Sequence, residues 1–107
     1  MTTGHYTPHR GHFVRLNFNP TVGHEQAGVR PALVLSPYDY NSRTGLAIMC
    51  PVTSRAKGYM FEVSVPSGLV VYGHVLADLA KSLDWKTRGV TYLGDAPPEL
   101  VSKVPVA

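Results

Sequence analysis

The chain has 107 residues, a length at which one domain forms around a single core, and one domain over residues 1–107 is expected. Hydrophobic residues make up 44% of it and charged residues 16%, a balance that excludes intrinsic disorder. Ten Lys and Arg against seven Asp and Glu give a net charge of +3, which permits a nucleic-acid partner. In chain order, period-two or compact apolar runs at 13–18, 32–35, 46–52, 60–65, 69–76 and 90–93 predict strands. They carry β-branched or aromatic residues and are bounded by Gly, Pro or Asn. Six short strands in so short a chain predict a mostly β fold, a barrel or a tightly coiled sheet. Between the second and third, residues 38–44 predict a helical turn that follows Pro37 and ends at Gly45. Residues 78–84 predict a second short helix or turn. A third is predicted over 97–104, where two prolines begin it and Pro105 stops it.

The segment Gly23-His24-Glu25-Gln26-Ala27-Gly28-Val29-Arg30-Pro31 gathers a carboxylate, an imidazole and a guanidinium on one loop. Its glycines permit backbone conformations that other residues resist, and Pro31 fixes the entry to the next apolar run. Glu or His can move a proton there, and Arg can grip a phosphate with a planar two-pronged contact. An ordinary polar hairpin loop has the same composition. Charge favours the first half of the chain, which through residue 53 holds four Arg, no Lys, two acids and four of the five histidines.

The only cysteine, Cys50, has no intramolecular partner and sits in an apolar run, which implies a reducing compartment and a thiol that packs rather than reacts. The first five residues hold no apolar signal core, and residues 46–52 are too few to span a bilayer, so neither export nor membrane insertion is expected. His5, His9 and His12 have a spacing that could gather a metal on a helix, but Gly4, Pro8 and Gly11 oppose a helix there. With no glycine-rich phosphate loop, nucleophile elbow or paired-cysteine site, neither a metal nor a cofactor is expected.

Arg10-Gly11 leading into a strand, Asn17-Phe18-Asn19-Pro20-Thr21, and the loop through Pro31 open a longer ordered set of fragments. It continues with Leu33-Val34-Leu35-Ser36-Pro37, Tyr40-Asn41 with Thr44-Gly45, Cys50-Pro51-Val52-Thr53-Ser54, and Lys57-Gly58-Tyr59 with Phe61-Glu62-Val63. Val75-Leu76-Ala77-Asp78, then Lys81-Ser82-Leu83-Asp84-Trp85 with Arg88-Gly89, complete it. In this order and spacing, over roughly residues 6 to 95, the chain resembles the MazF/PemK toxins of bacterial toxin–antitoxin systems. The resemblance implies a small Src-homology-3-like β-barrel with short helices, and a sequence-selective, metal-independent endoribonuclease acting on single-stranded RNA. It carries over Glu25, Arg30 and Thr53 as catalytic residues. Arg30 would steady the phosphate and donate a proton, Thr53 would bond a phosphate oxygen, and Glu25 would act as a base or orienting group. His24 joins them as a possible acid or base, and Arg55 and Lys57 as RNA contacts. The implied partners are RNA, a second copy of the chain in a homodimer, and a cognate antitoxin whose acidic, disordered tail fills the RNA groove; the implied location is cytoplasmic.

Read singly, each residue also has a structural use. Glu25 could be a solvated loop charge, Arg30 could anchor the loop through a carboxylate such as Asp78, and Thr53 could bond a neighbouring backbone amide. Tyr59 and Trp85 could stack bases, although a sole tryptophan is more often a core or interface residue. The chain departs from the family at His12, Asn17 and Asn19, where aspartates are common, at Arg15 in place of tryptophan, and at Leu79 in place of glutamine. The changes at the first strand should strengthen the pull on RNA while removing carboxylates that could anchor the loop. The chain also ends soon after Pro105, where relatives continue a helix, so dimer and antitoxin contacts made there should be weaker. The alternative to the nuclease is a catalytically silent barrel that binds a protein such as gyrase, as structural cousins of the family do; a plain nucleic-acid-binding barrel accounts for the charge alone.

Overall fold

A computed structural model describes residues 6–19, 28–55, 58 and 61–104. Its strands are β1 (His12–Asn17), β2 (Val29–Val34), β3 (Leu46–Thr53), β4 (Glu62–Ser64), β5 (His74–Leu76), β6 (Lys81–Asp84) and β7 (Thr91–Asp95). The helices are α1 (Tyr38–Thr44) and α2 (Pro98–Ser102), and a 3-10 turn spans Ala77–Leu79. All strand pairs are antiparallel, in the order β4-β5-β3-β2-β1-β7, with β6 also pairing β3. Among the described residues the end strands β4 and β7 do not pair, so the sheet is coiled without closing into a full barrel.

The centre of the sheet is covered on both faces. Phe13, Leu33, Cys50, Val52 and Val75 face one cluster, closed by Leu100, Val101 and Val104 from α2 and the residues after it. Val14, Leu16, Ala32, Val34 and Met49 alternate with them into a second, closed by Phe18, Leu83 and Trp85. Double burial is why β2 and β3 read as compact apolar runs instead of alternating ones. Burying each such large side chain contributes about 1.5–3 kcal/mol.

The helical turn predicted over 38–44 is α1, ended by Gly45 in the left-handed conformation (φ 73°), whose N–H donates to Asn41 O. Asn41 is fully buried, accepts from Ser36 Oγ, and donates through Nδ2 to Pro8 O at 2.8 Å and Ser36 O at 3.0 Å. Its carbonyl accepts from Trp85 Nε1 at 3.2 Å, so Trp85 is a buried core residue and not a base-stacking surface.

Two expectations are corrected. Residues 78–84 are not one helix or turn: the 3-10 turn stops at Leu79 and Lys81–Asp84 is a strand, drawn into the sheet by the free edge of β3. The run at 69–76 is a strand only over its last three residues, because Gly73, at φ 115°, interrupts extended pairing.

Candidate active site

Proline sets where β2 and β3 part. The ladder between them pairs Val34 with Met49, Leu33 with Cys50 and Ala32 with Pro51, and then stops. The bonded pairs of this ladder alternate from Leu35 and Ile48, so the next would join Pro31 to Val52, and Pro31 has no N–H to offer it. Carried two positions further, the same register aligns Arg30 with Thr53. Both stand on the face that carries Ala32, Val34 and Met49, because side chains alternate along a strand. Arg30, half-buried, and Thr53, buried, therefore align just past the end of the β2–β3 ladder.

Thr53 is 4% exposed, and its Oγ1 accepts the Arg55 backbone N–H at 3.3 Å. The backbone-bonding use foreseen for Thr53 is thus present, yet it does not consume the hydroxyl's own proton, which remains a donor. On its other side Thr53 pairs with His74 of β5. The approach is close: a Cβ on Gly73 would fall 2.0 Å from Thr53 O and 2.9 Å from Ser54 Cα, so only glycine fits there.

Arg55 is exposed, immediately beyond this strand end. Glu25, His24, Lys57 and Tyr59 lie outside the described residues. The stems of the loop that carries Glu25 are described, and Asn17 and Asn19 hold them. Asn17 Oδ1 accepts Asn19 N–H at 2.9 Å, Asn19 Oδ1 accepts Gly28 N–H at 3.0 Å, and Phe18 N–H donates to Gly28 O at 2.9 Å. Arg88 Nη1 donates to Asn17 O and Asn19 O. Amide oxygens thus accept backbone bonds at both positions, and the stems on either side of the loop stay joined.

A shallow cleft of about 300 Å³ has Arg15, Arg30, Pro31, Val52, Tyr72 and Leu93 in its lining, but neither Thr53 nor His74; Val52 and Leu93 place it on the opposite face of the sheet from the Thr53 rung. Arg15 and Tyr72 are both exposed. Cationic and aromatic groups side by side suit a chain that is both charged and stacked, as a nucleic acid is. Sequence reasoning did not single out Tyr72, Gly73 or His74. The signal available for His74 was alternation: in an apolar run it falls on the face opposite Val75.

Elsewhere, Cys50 is fully buried, with its thiol pushed up to about 12 by desolvation and then by Asp78; it packs as a small hydrophobe and offers no thiolate near neutrality. Among the described residues no helix is long and apolar enough to cross a membrane.

This coiled antiparallel sheet with short helices is the architecture of a class of small, mostly β proteins typified by MazF. It matches the crystal structure of MazF from Deinococcus radiodurans with a TM-score of 0.89 and 57% identity, covering 94% of this chain and 91% of that one. It matches a MazE-MazF crystal structure from the same organism with a TM-score of 0.81 and 52% identity, over 94% of this chain and 89% of that one. Residues 9–106 match the family described as the PemK-like, MazF-like toxin of type II toxin-antitoxin systems, and the chain belongs to that family. It is 49% identical to the endoribonuclease toxin MazF of Escherichia coli K12 over 94 residues, 88% of this chain and 84% of that one. To the endoribonuclease PemK of Escherichia coli it is 35% identical over 99 residues, 89% of this chain and 74% of that one.

Proposed function

We propose that this endoribonuclease toxin cuts single-stranded RNA at selected sequences without a metal ion. The ribose 2′-hydroxyl attacks its own phosphate, the 2′-oxygen–phosphorus bond forms as the bond to the 5′-oxygen breaks, and the products carry a 2′,3′-cyclic phosphate and a 5′-hydroxyl. Glu25 takes the 2′-proton or orients its removal, Arg30 steadies the phosphate and protonates the leaving 5′-oxygen, and Thr53 donates to a non-bridging oxygen. His24 is a second candidate for proton transfer. Arg55 and Lys57 hold flanking phosphates by charge.

The observation that carries this reading is the alignment of Arg30 with Thr53 on one face, two positions beyond the last rung of the β2–β3 ladder when its register is continued. A charge-neutralising fork beside a hydroxyl donor suits a five-coordinate phosphorus, and the likeness to two endoribonucleases supports the same assignment. A barrel that acted only by binding a protein such as gyrase would need neither group in this arrangement. The toxin works as a homodimer in the cytoplasm, with RNA in a groove at the subunit interface, and a cognate antitoxin inhibits it by laying an acidic disordered tail there.

The test is the chemistry of the cut ends. Purified protein should cleave single-stranded RNA in excess chelator, leave 5′-hydroxyl and cyclic-phosphate ends, and spare DNA, which lacks the nucleophile. Cleavage abolished by chelator, or 5′-phosphate ends, would assign the reaction to metal-activated water.

A further inference from the structure

Strand register places one more ring in the candidate site. His74 is the residue of β5 directly opposite Thr53, and residues directly opposite in an antiparallel pair project to the same face with Cβ atoms roughly 4.5–5.5 Å apart. On its other side His74 pairs with Ser64 of β4. Since Val52 and Val75, the neighbouring rung, point into the core, the rung of Thr53 and His74 points the other way, toward the face of Arg30. A polar row, Ser64, His74, Thr53 and Arg30, therefore runs across four adjacent strands.

The two nitrogens of this ring have unlike surroundings. Nδ1 is buried and has no hydrogen-bond partner among the described residues. His74 as a whole is only half-buried, and since the sealed edge of its ring is the Nδ1 edge, we take Nε2 as the edge nearer the surface. A sealed, unpartnered position tolerates a bare lone pair better than an orphaned N–H. The proton of the neutral ring therefore sits on Nε2, the open edge, where it is a hydrogen-bond donor aimed outward from the same rung as the Thr53 hydroxyl.

We propose that His74, through Nε2–H, is a further catalytic residue that donates a hydrogen bond to a non-bridging oxygen of the phosphate held by Arg30 and Thr53. This rests on the RNA-cleavage reading above and assigns a third donor to its transition state. His74 transfers no proton in this role: the 2′-proton leaves, and the 5′-oxygen is protonated, through the groups already named. Its bond strengthens as the equatorial oxygens gain charge, which is the condition for accelerating the step instead of merely binding substrate. A buried nitrogen left without a partner is a local cost, and costs of this kind collect at working sites.

The experiment compares His74→Gln, His74→Asn and His74→Val with the unaltered protein in single-turnover RNA cleavage with chelator present, RNA affinity, and thermal unfolding. Gln sets an amide N–H near the place of Nε2, Asn sets one near Nδ1, and Val fills the site without any donor. Val should lose roughly 10²-fold in cleavage rate with RNA affinity changed only a few-fold, while its melting temperature holds or rises because the orphaned nitrogen is gone. Gln should recover most of the rate and Asn should not. Val cleaving at the rate of the unaltered protein overturns the proposal. So does rescue by Asn in place of Gln, or a loss of rate in all three that tracks a loss of melting temperature. If the unaltered protein itself leaves RNA intact, the parent reading fails and this one falls with it.

Discussion

Arginine and lysine carry the same charge at position 30 but not the same geometry. The guanidinium offers a rigid planar fork to a phosphate, whereas an ammonium is a point charge on a flexible stem. Arg30→Lys should therefore keep much of the RNA affinity and lose about 10²-fold or more in single-turnover cleavage, as when one transition-state donor is misplaced. Near-normal cleavage by a well-folded Arg30→Lys protein would remove the role assigned to Arg30. Thr53 is the harder residue to probe alone, because its Oγ1 also accepts the Arg55 N–H at the strand end. Arg30 drew notice in the sequence by residue type, beside Pro31 at the end of a polar segment, and the structure places it within β2 instead of a loop. His74 drew none, since a histidine in an apolar run has no meaning until register names the residue opposite it.

At the scale of elements, the site depends on where pairing stops. The ladder between β2 and β3 ends beside Pro31, which lacks the N–H of the next bonded pair, and Gly73 lets β5 come close against the last residues of β3. Gly73 has φ 115°, and an added Cβ would collide with backbone, not with a side chain that could turn aside. Gly73→Ala should then destabilise the fold by more than about 2 kcal/mol, through strain at a glycine-only conformation plus a forced shift of Thr53. Cleavage should fall beyond what the lost folded fraction explains, measured by chemical denaturation and by activity at a temperature where the variant remains folded. A Gly73→Ala protein as stable as the parent would show that β3 and β5 can separate without cost. The mistaken reading of 78–84 belongs to this scale as well. Lys81-Ser82-Leu83-Asp84 has only one buried position, Leu83, and becomes a strand because β3 has an unfilled edge beside it.

Across the whole molecule, the segment before β1 is tied to the opposite end of the chain through His12. Tyr6 Oη lies 2.6 Å from His12 Nδ1, and His12 Nε2 lies 3.6 Å from Asp95 Oδ1, which also accepts from Tyr92 Oη at 2.8 Å. Burial first, then Tyr92 and after it Asp95, raise the Tyr6 phenol, so it stays protonated, donates to Nδ1 and fixes the imidazole proton on Nε2. Burial, and after it His9, holds the His12 pKa below the ordinary histidine value of 6.5 against the opposing pull of Asp95. The unfolded chain therefore takes up a proton at a pH where the folded protein does not. Stability from this group is full above about pH 6.5 and is lost as pH falls through the lowered folded value. Between about pH 7.5 and about pH 5.5 the melting temperature should drop further for the parent protein than for His12→Asn, which keeps an acceptor for Tyr6 but cannot titrate there. Equal drops would mean that His12 exchanges no proton on unfolding in that range.

What the sequence determined by itself was local or compositional. Apolar runs bounded by Gly, Pro and Asn located most of the strands, Pro37 and Gly45 bracketed α1, and an ordered string of short motifs was enough to indicate the family. Each of these signals lies within a few residues of the element it specifies. The tertiary structure decided what depends on residues distant in the chain: that β6 is a strand, that Asn17 and Asn19 join the loop stems, that Trp85 is buried on Asn41, and that His74 stands opposite Thr53. The physical reason is that a strand's alternation fixes only which of two faces a side chain takes. Which strands lie beside it, and in what register, is settled by the packing of two cores and by Pro31 and Gly73, which limit pairing beside the candidate site.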